Sequence, residues 1–500
     1  MAPSTGPCSR AASPAALYTE GVRICLATLH SNADFIPLAL LYLKAFLVRG
    51  GLVSLDDAII VEDGPDTPAD ALAARVIETD PHVLALSCYV WNIKTLMAAA
   101  QRVKAARPEI VVVLGGPEVG PVAVSALDRY SWVDAVVKSE GEAPLGAIVQ
   151  HVACDQPFDD IPGICFRRGS AVIDTGDAPI RRNLDELPSP HTEEFAMPGH
   201  RIACVETQRG CVFRCSFCFY NKDLSIRNRR FDLDRVFAEI RFWLDRDIKQ
   251  LYLMDPVFNL NAERAKQICR FVADHNHRRI PIHTEVWAEF IDEEIAALME
   301  AAHFRFIEVG LQTTDDDVLA TVERRLRLQK FLDGVGYLKK YALPFELQLI
   351  YGLPGDTRAR FRKSLDFAAA LQPTCLAVFP LMVLPGTELW RNAAGLGLEH
   401  DADPPYYVRS HRSMDAEDIA YGWKIHDAIG ELEPFHTISV LRREPGVPFS
   451  KLVDEWIDDG TGDLEAFVQR VCDAHRIPPD FYVASARLEQ AAIDRDLHRA

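Results

Sequence analysis

Cys211-Val212-Phe213-Arg214-Cys215-Ser216-Phe217-Cys218 sets three thiols at C-x3-C-x2-C spacing. A loop that short can turn all three sulfurs toward one point. Three thiolates satisfy three irons of a cubane cluster and leave the fourth iron without a protein ligand. An open iron can bind a small molecule and pass it one electron, whereas a four-thiolate cluster is closed and mostly carries electrons. The competing chemistry is a zinc knot or a closed cluster, with Cys204 or an outside histidine as fourth ligand. No close pair of the form C-x2-C or H-x3-H follows soon after, as a zinc finger needs, so ligand counting favours the open cluster.

The elements that must position this loop are those of a chain of 500 residues, enough for two to four domains. The formal net charge of −18 argues against a general nucleic-acid surface, which needs clustered Lys and Arg. One basic run, Arg227-Asn228-Arg229-Arg230, stands against that background, either as a solvated face or as a contact for an anionic substrate or electron donor. The 12 cysteines do not form a disulfide framework, because Cys25, Cys88, Cys269 and Cys375 sit inside apolar runs where cysteine behaves as a small hydrophobe. A reducing, cytoplasmic location is therefore expected. Residues 1–20 lack the apolar core of a signal peptide and read as a disordered tail, and no apolar run is long enough for a membrane span.

Over residues 21–154 short apolar runs alternate with helical patterns. Strands are expected at 24–29, 58–61, 83–87, 110–114 and 135–137, with helices at 38–49, 67–79, 92–106, 121–129 and 142–152. Five β-α units imply a doubly wound, Rossmann-like sheet whose ligands lie beyond the carboxyl ends of the strands. The informative loops are then His30 to Pro37, Cys88 to Asn92 with Trp91, Gly115-Gly116-Pro117-Glu118 and Ser139-Glu140-Gly141-Glu142. Gly115 and Gly116 carry no Cβ, so a ligand can approach their backbone. No G-x-G-x-x-G follows the first strand, which disfavours a nicotinamide fold.

Residues 155–200 are proline-rich and read as a linker, with a hairpin over 164–173 turning at Gly169-Ser170 and bridging two domains. Longer β-α units follow over 201–400, with strands expected at 203–207, 249–254, 282–286, 305–310, 345–350 and 375–381. Helices are expected between them at 232–245, 261–275, 292–301, 328–341 and 358–371. Six parallel strands make a partial (β/α)6 barrel, whose working residues project from the carboxyl ends of the strands. The cysteine loop follows the first of these strands and so falls at the mouth. Residues 401–500 read as a small helical cap, in which Tyr406, Tyr407 and Trp423, with Trp390 before them, belong to the core or line a substrate pocket. Glu308 lies in an apolar strand, where a buried carboxylate needs a partner that a ligand can supply. Glu285 and Glu289 are open between substrate contacts and salt bridges inside the barrel. Asp315, Asp316 and Asp317 suit the start of a helix.

The cysteine loop with Phe217, the stretch Leu251-Tyr252-Leu253-Met254-Asp255-Pro256 and the stretches around Glu308, Gln312 and Leu353 together resemble the radical S-adenosylmethionine (SAM) enzymes over most of residues 200–410. Leu114 to Gly120 and Val136 to Glu142 resemble the cobalamin-binding domain that precedes many such barrels. The resemblance implies Cys211, Cys215 and Cys218 as ligands of a [4Fe-4S] cluster, and Phe217, Asp255, Glu308, Gln312 and Leu353 as SAM contacts. It places cobalamin on Cys88, Trp91, Asn92, Gly115, Gly116, Pro117, Glu118, Ser139, Glu140, Gly141 and Glu142. The D-x-H-x-x-G motif that gives cobalt a lower histidine is absent, and His30 stands in Thr28-Leu29-His30-Ser31-Asn32 as an ordinary loop residue or a lone ligand.

For the whole chain the resemblance implies a methyltransferase acting on an unactivated carbon of a small molecule or peptide. One SAM would methylate cob(I)alamin and a second would yield a 5'-deoxyadenosyl radical. The electron would come from a one-electron reductant such as flavodoxin or ferredoxin. Cyclisation or ring rearrangement without methyl transfer is the alternative outcome. A corrinoid or redox sensor whose cluster is closed by Cys204 is the non-catalytic one.

Overall fold

The computed structural model describes residues 21–221, 228–432 and 447–475, which form two compact units. The tail expected over 1–20, and Arg227 of the basic run, lie outside the described residues.

In the first unit, β1 (Ile24–Leu29), α1 (Leu38–Arg49), β2 (Ala58–Asp63), α2 (Ala69–Glu78), β3 (Val83–Ser87) and α3 (Ile93–Ala106) come first in the chain. Then follow β4 (Val111–Gly115), α4 (Ala123–Arg129), β5 (Ala135–Val137) and α5 (Glu142–Ala153). Every residue of β1 and β3 is buried, as a parallel strand covered on both faces must be. Leu72, Val76, Leu96 and Leu127 of α2, α3 and α4 join one core with Cys25, Ala27 and Leu86. Leu40, Leu47, Leu145 and Ile148 of α1 and α5 join the other with Ile24, Leu26 and Val137. The sheet is therefore wound on both sides.

The hairpin over 164–173 does not stand between domains as the sequence suggested. Its strands β6 (Ile164–Arg168) and β7 (Ala171–Asp174) extend the first sheet, with β6 antiparallel to β5 through Ala135–Phe166 and Val137–Ile164. The resulting order is β2-β1-β3-β4-β5-β6-β7. Cys165 and Phe166 are buried in the two cores, which is why the segment folds back onto β5.

The second unit begins with β8 (Ile202–Val205), whose chain continues through β9 (Gln208–Arg209), the cysteine loop and β10 (Arg229–Arg230). Next come α6 (Leu233–Leu244), β11 (Gln250–Leu253), α7 (Ala262–His275), β12 (Ile282–Val286), α8 (Glu293–Ala301) and β13 (Phe304–Gln312). After them run α9 (Asp316–Thr321), α10 (Leu328–Lys340), β14 (Glu346–Tyr351), α11 (Arg358–Ala370), β15 (Cys375–Pro380) and α12 (Glu388–Leu396). Six strands lie in the order β15-β14-β13-β12-β11-β8, each parallel to its neighbour. From Ile307 in β13 and throughout β14 buried and half-buried residues alternate, so one face packs on the helices and the other lines the barrel interior. Asn261, Asp292, Asp315, Thr357 and Thr387 accept backbone N–H bonds at the starts of α7, α8, α9, α11 and α12, each worth about 1 kcal/mol. Asp315 is thus the helix start expected of it.

Beyond the barrel, α13 (Ala416–Leu432) packs on β15, and His426 Nδ1 lies 2.6 Å from the Val378 carbonyl. Helices Phe449–Asp459 and Leu464–His475 follow; the first was not expected from the sequence and packs on α11 and α13. Among the described residues no helix is long and apolar enough to cross a membrane.

Candidate active site

The strand register stacks the inward side chains of the barrel in rungs. Tyr252, His283 and Phe306 are register partners on β11, β12 and β13 and form the lowest rung. Above it Glu285, Glu308, Glu346 and Cys375 stand side by side on β12, β13, β14 and β15. Neighbouring strands lie about 4.8 Å apart, so three carboxyl groups share one level of the interior. Gly310, Gln348 and Ala377 form the rung above.

These carboxyls are held by neutral donors and one histidine. Tyr252 donates to Glu285 at 2.9 Å, Gln348 to Glu308 at 2.7 Å and Glu346 at 2.9 Å, and His283 Nε2 lies 2.7 Å from Glu308. The Tyr252 ring stacks on His283 at 3.9 Å, which fixes both. Burial and the charge of Glu308 push the Glu285 carboxyl up to about 7, and burial raises Glu346 as well. The Tyr252 phenol is driven far upward by burial and the facing carboxylates, so it remains a donor.

Above the rungs opens a cleft of about 690 Å³ including its mouth, lined by Cys211, Cys215 and Cys218 together with Glu285, Glu308 and Gln348. Phe217 and Gln312 line it too. The cysteine loop is fastened from two sides: Ser216 N–H donates to the Val322 carbonyl after α9, and the Ser216 carbonyl accepts from Leu389 N–H of α12. Phe213 stacks on Trp287 at 3.8 Å. Arg324 reaches the Cys215 sulfur at 3.6 Å and lies over the Trp287 ring at 4.2 Å. A bulge in β13 between Gly310 and Gln312, with Gln312 at φ 69°, turns the Gln312 amide to the cleft. A Cβ on Gly310 would meet that amide nitrogen at 2.6 Å, so glycine leaves it room.

A model of the Radical SAM superfamily matches residues 205–368, and one of the B12 binding domain matches residues 24–149. The chain thus carries a B12-binding domain followed by a radical SAM domain. It is similar to the cobalamin-dependent radical SAM methyltransferase TokK of Streptomyces tokunonensis, 28% identical over 64% of this chain and 50% of the relative. It is equally similar to the 2-(S-pantetheinyl)-carbapenam-3-carboxylate methyltransferase of Streptantibioticus cattleyicolor, at 28% over 66% of this chain and 51% of that protein. The chain thus spans about half the length of these curated relatives. The solved structure of the methyltransferase TsrM from Kitasatospora setae, with cobalamin and a [4Fe-4S] cluster bound, superposes with TM-score 0.63 and 16% identity, covering 91% of this chain and all of that one. At that identity the likeness establishes the fold.

A radical SAM enzyme needs a loop of three thiolates with no fourth, and the donor set fits. Cys204, the candidate closing ligand, is buried in β8 as the register partner of Tyr252 and is not among the cleft-lining residues. Burial raises the Cys211 thiol and pushes Cys218 up to about 12, so iron must displace their protons. For SAM, the buried Gln312 Oε1 has no protein partner and lines the cleft beside the Glu308 carboxylate.

Two expected SAM contacts are not brought to the cleft. Asp255 is fully buried, its Oδ1 accepting from Thr207 N–H at 2.8 Å and Gln208 N–H at 3.2 Å and its Oδ2 from Thr207 Oγ1 at 2.5 Å. It ties the end of β8 to the end of β11, and burial pushes it up to about 7. Leu353 is core, its carbonyl accepting from Asp356 N–H in a turn between Gly352 and Gly355. Glu289 proves a salt-bridge residue, bound to Arg327 at 2.5 Å. Of the basic run, Arg229 donates to the Arg181 carbonyl and Arg230 to Asn228.

In the B12-binding unit the order β2-β1-β3 puts the topological switch point between β1 and β3. Asn92 is buried there and stitches the two strand ends, donating to Thr28 Oγ1, the Leu29 carbonyl and the Ser87 carbonyl. Cys88 is also interior, and burial drives its thiol far upward. These two therefore shape the crevice from below. Trp91 is 52% exposed, stacked on Tyr89 at 4.5 Å and held by a bond to the Leu29 carbonyl, a flat apolar surface suited to a corrin face. Gly116 at φ 101° lies so close to Cys88 that a Cβ would meet its carbonyl oxygen at 2.5 Å. Gly115, Pro117, Ser139, Glu140 and Gly141 are half-buried at the strand ends, while Glu118 and Glu142 are buried. His30 Nε2 is 2.7 Å from Glu62, so it is engaged within the unit.

Proposed function

We propose that this chain is a methyltransferase that places a methyl group on an unactivated carbon of a small molecule, using a [4Fe-4S] cluster, SAM and cobalamin. When bound, these groups supply one-electron cleavage of the SAM carbon–sulfur bond and a transferable methyl group. The observation that carries the reading is the convergence of Cys211, Cys215, Cys218, Glu308 and Gln312 on one cleft, in a chain that also carries a B12-binding domain.

The residues divide the work by chemistry. The three cysteines hold the cluster and leave one iron open. Glu308, fixed by His283 and Gln348, and the Gln312 carbonyl oxygen offer acceptors to the ammonium and hydroxyl donors of SAM. Glu285, held from below by Tyr252, faces the rest of the cleft and orients the substrate. Trp91 and the glycine loop at Gly115-Gly116 receive the corrin. A one-electron reductant completes the set.

The test is anaerobic turnover of the reconstituted holoenzyme with SAM, cobalamin and a reductant. The expected result is 5'-deoxyadenosine and S-adenosylhomocysteine accumulating together, and a product heavier by one CH2 unit. Formation of 5'-deoxyadenosine alone, with a product of unchanged carbon count, moves the assignment to cyclisation or rearrangement. Failure to form either SAM product sinks it.

A further inference from the structure

Arg324 is the residue of the cleft whose placement the reaction above leaves unused. Its origin is a tight turn after α9: Arg324 N–H donates to the Leu319 carbonyl, and Glu323 adopts φ 53° to reverse the chain. The same turn presents the Val322 carbonyl to Ser216 N–H. One short segment therefore grips the cysteine loop twice, by backbone at Ser216 and by side chain at Cys215.

The guanidinium is locked on three sides. One arm donates to the Cys215 sulfur at 3.6 Å and the other to the Gly310 carbonyl at 2.5 Å, while the plane rests over Trp287 at 4.2 Å. That fork geometry is one a lysine cannot reproduce. Among the described residues no carboxylate lies within salt-bridge distance of Arg324, so its charge is not neutralised locally. The Arg324 charge bears on Cys211, whereas the Glu285 charge bears on Cys218.

We propose that Arg324 sets the reduction potential of the cluster held by Cys211, Cys215 and Cys218, as a fixed positive charge hydrogen-bonded to the Cys215 sulfur. Adding an electron makes the cluster more negative, and both a nearby cation and a hydrogen bond to a ligand sulfur favour that state. Arg324 is thus a positioning residue acting through Cys215. The inference needs the cluster alone and is independent of whether the product is methylated.

The experiment is an EPR-monitored potentiometric titration of the reconstituted protein without SAM or cobalamin, on wild type, R324Q and R324K. Iron and sulfide content establish that each variant is loaded. In R324Q the reduced-to-oxidised ratio at the wild-type midpoint is expected to fall at least tenfold, which for a one-electron couple is 59 mV. R324K keeps the charge but loses the fork, so its midpoint falls by less. If R324Q does not take up iron, R324K decides by the sign of its shift. An unchanged midpoint in either fully loaded variant overturns the proposal, even if SAM binding weakens. Loss of the cluster from both overturns it too, because Arg324 would then govern loading and not potential.

Discussion

Gly334 offers a measurable link between a helix–turn contact and the cleft. It sits inside α10 against the turn Ala288–Phe290, and a Cβ added there would stand 2.0 Å from the Ala288 carbonyl oxygen and 2.8 Å from its carbon. Ordinary contact begins near 3.4 Å, so the helix or the turn must retreat by more than an ångström. Overpacking of this kind costs about 1–3 kcal/mol, and replacing glycine by alanine in a helix returns about 1 kcal/mol. Gly336 lies on the same helix with nothing within 4 Å, so G336A supplies the propensity gain without the clash. Denaturant unfolding of the apoprotein should therefore show G336A stabilised by about 0.5–1 kcal/mol. G334A should be destabilised by up to about 2 kcal/mol. Because Ala288 adjoins Trp287, which stacks on Phe213 of the cysteine loop, G334A should also load less iron than G336A. Equal stability of the two variants would refute the reasoning.

Other expectations follow from groups already described. Glu285 is raised from 4.5 to about 7, so its contribution to stability is complete below 4.5 and is lost as pH rises through 7. The loss is at most about 3 kcal/mol, reduced by solvent at the cleft mouth, and E285Q should lack it; urea midpoints of apoprotein at pH 5 and pH 8 that move in parallel for wild type and variant would contradict this. Alanine at Cys211, Cys215 or Cys218 should abolish the iron–sulfur absorption after reconstitution, while C204A should retain it at a modest stability cost. Loss of the chromophore in C204A would restore the closed-cluster reading. G116A combines a left-handed backbone with a carbonyl clash at 2.5 Å and should cost about 3 kcal/mol or more, removing hydroxocobalamin binding as read by its difference spectrum.

The strands and most of the helices were legible in the sequence because apolar runs with turn residues between them leave few alternatives. The cysteine loop was legible because its ligands are adjacent in the chain. The rungs were not, since Glu285, Glu308 and Glu346 become neighbours only through register. A signal was present: polar residues at alternate positions of apolar strands, in His283 and Glu285, Glu308, and Glu346 and Gln348, mark an inward face. Asp255 was assigned to SAM because it occupies the expected strand end, yet Thr207 and Gln208 supply donors close enough to satisfy both its oxygens. Arg324 escaped notice because its partner Cys215 lies 109 positions earlier. The helix over 449–459 was missed, although Phe449, Leu452, Val453 and Trp456 are buried along one face.

The carboxyl rung also bears on how such a barrel acquires new substrates. Its members hang from separate strands whose backbones are paired independently of them, so a single replacement on one strand exchanges an acceptor for a donor while the ladder beneath stays intact. Under the proposed function Glu308 is kept for SAM, so a change of substrate is written at its neighbours on the same storey of the scaffold.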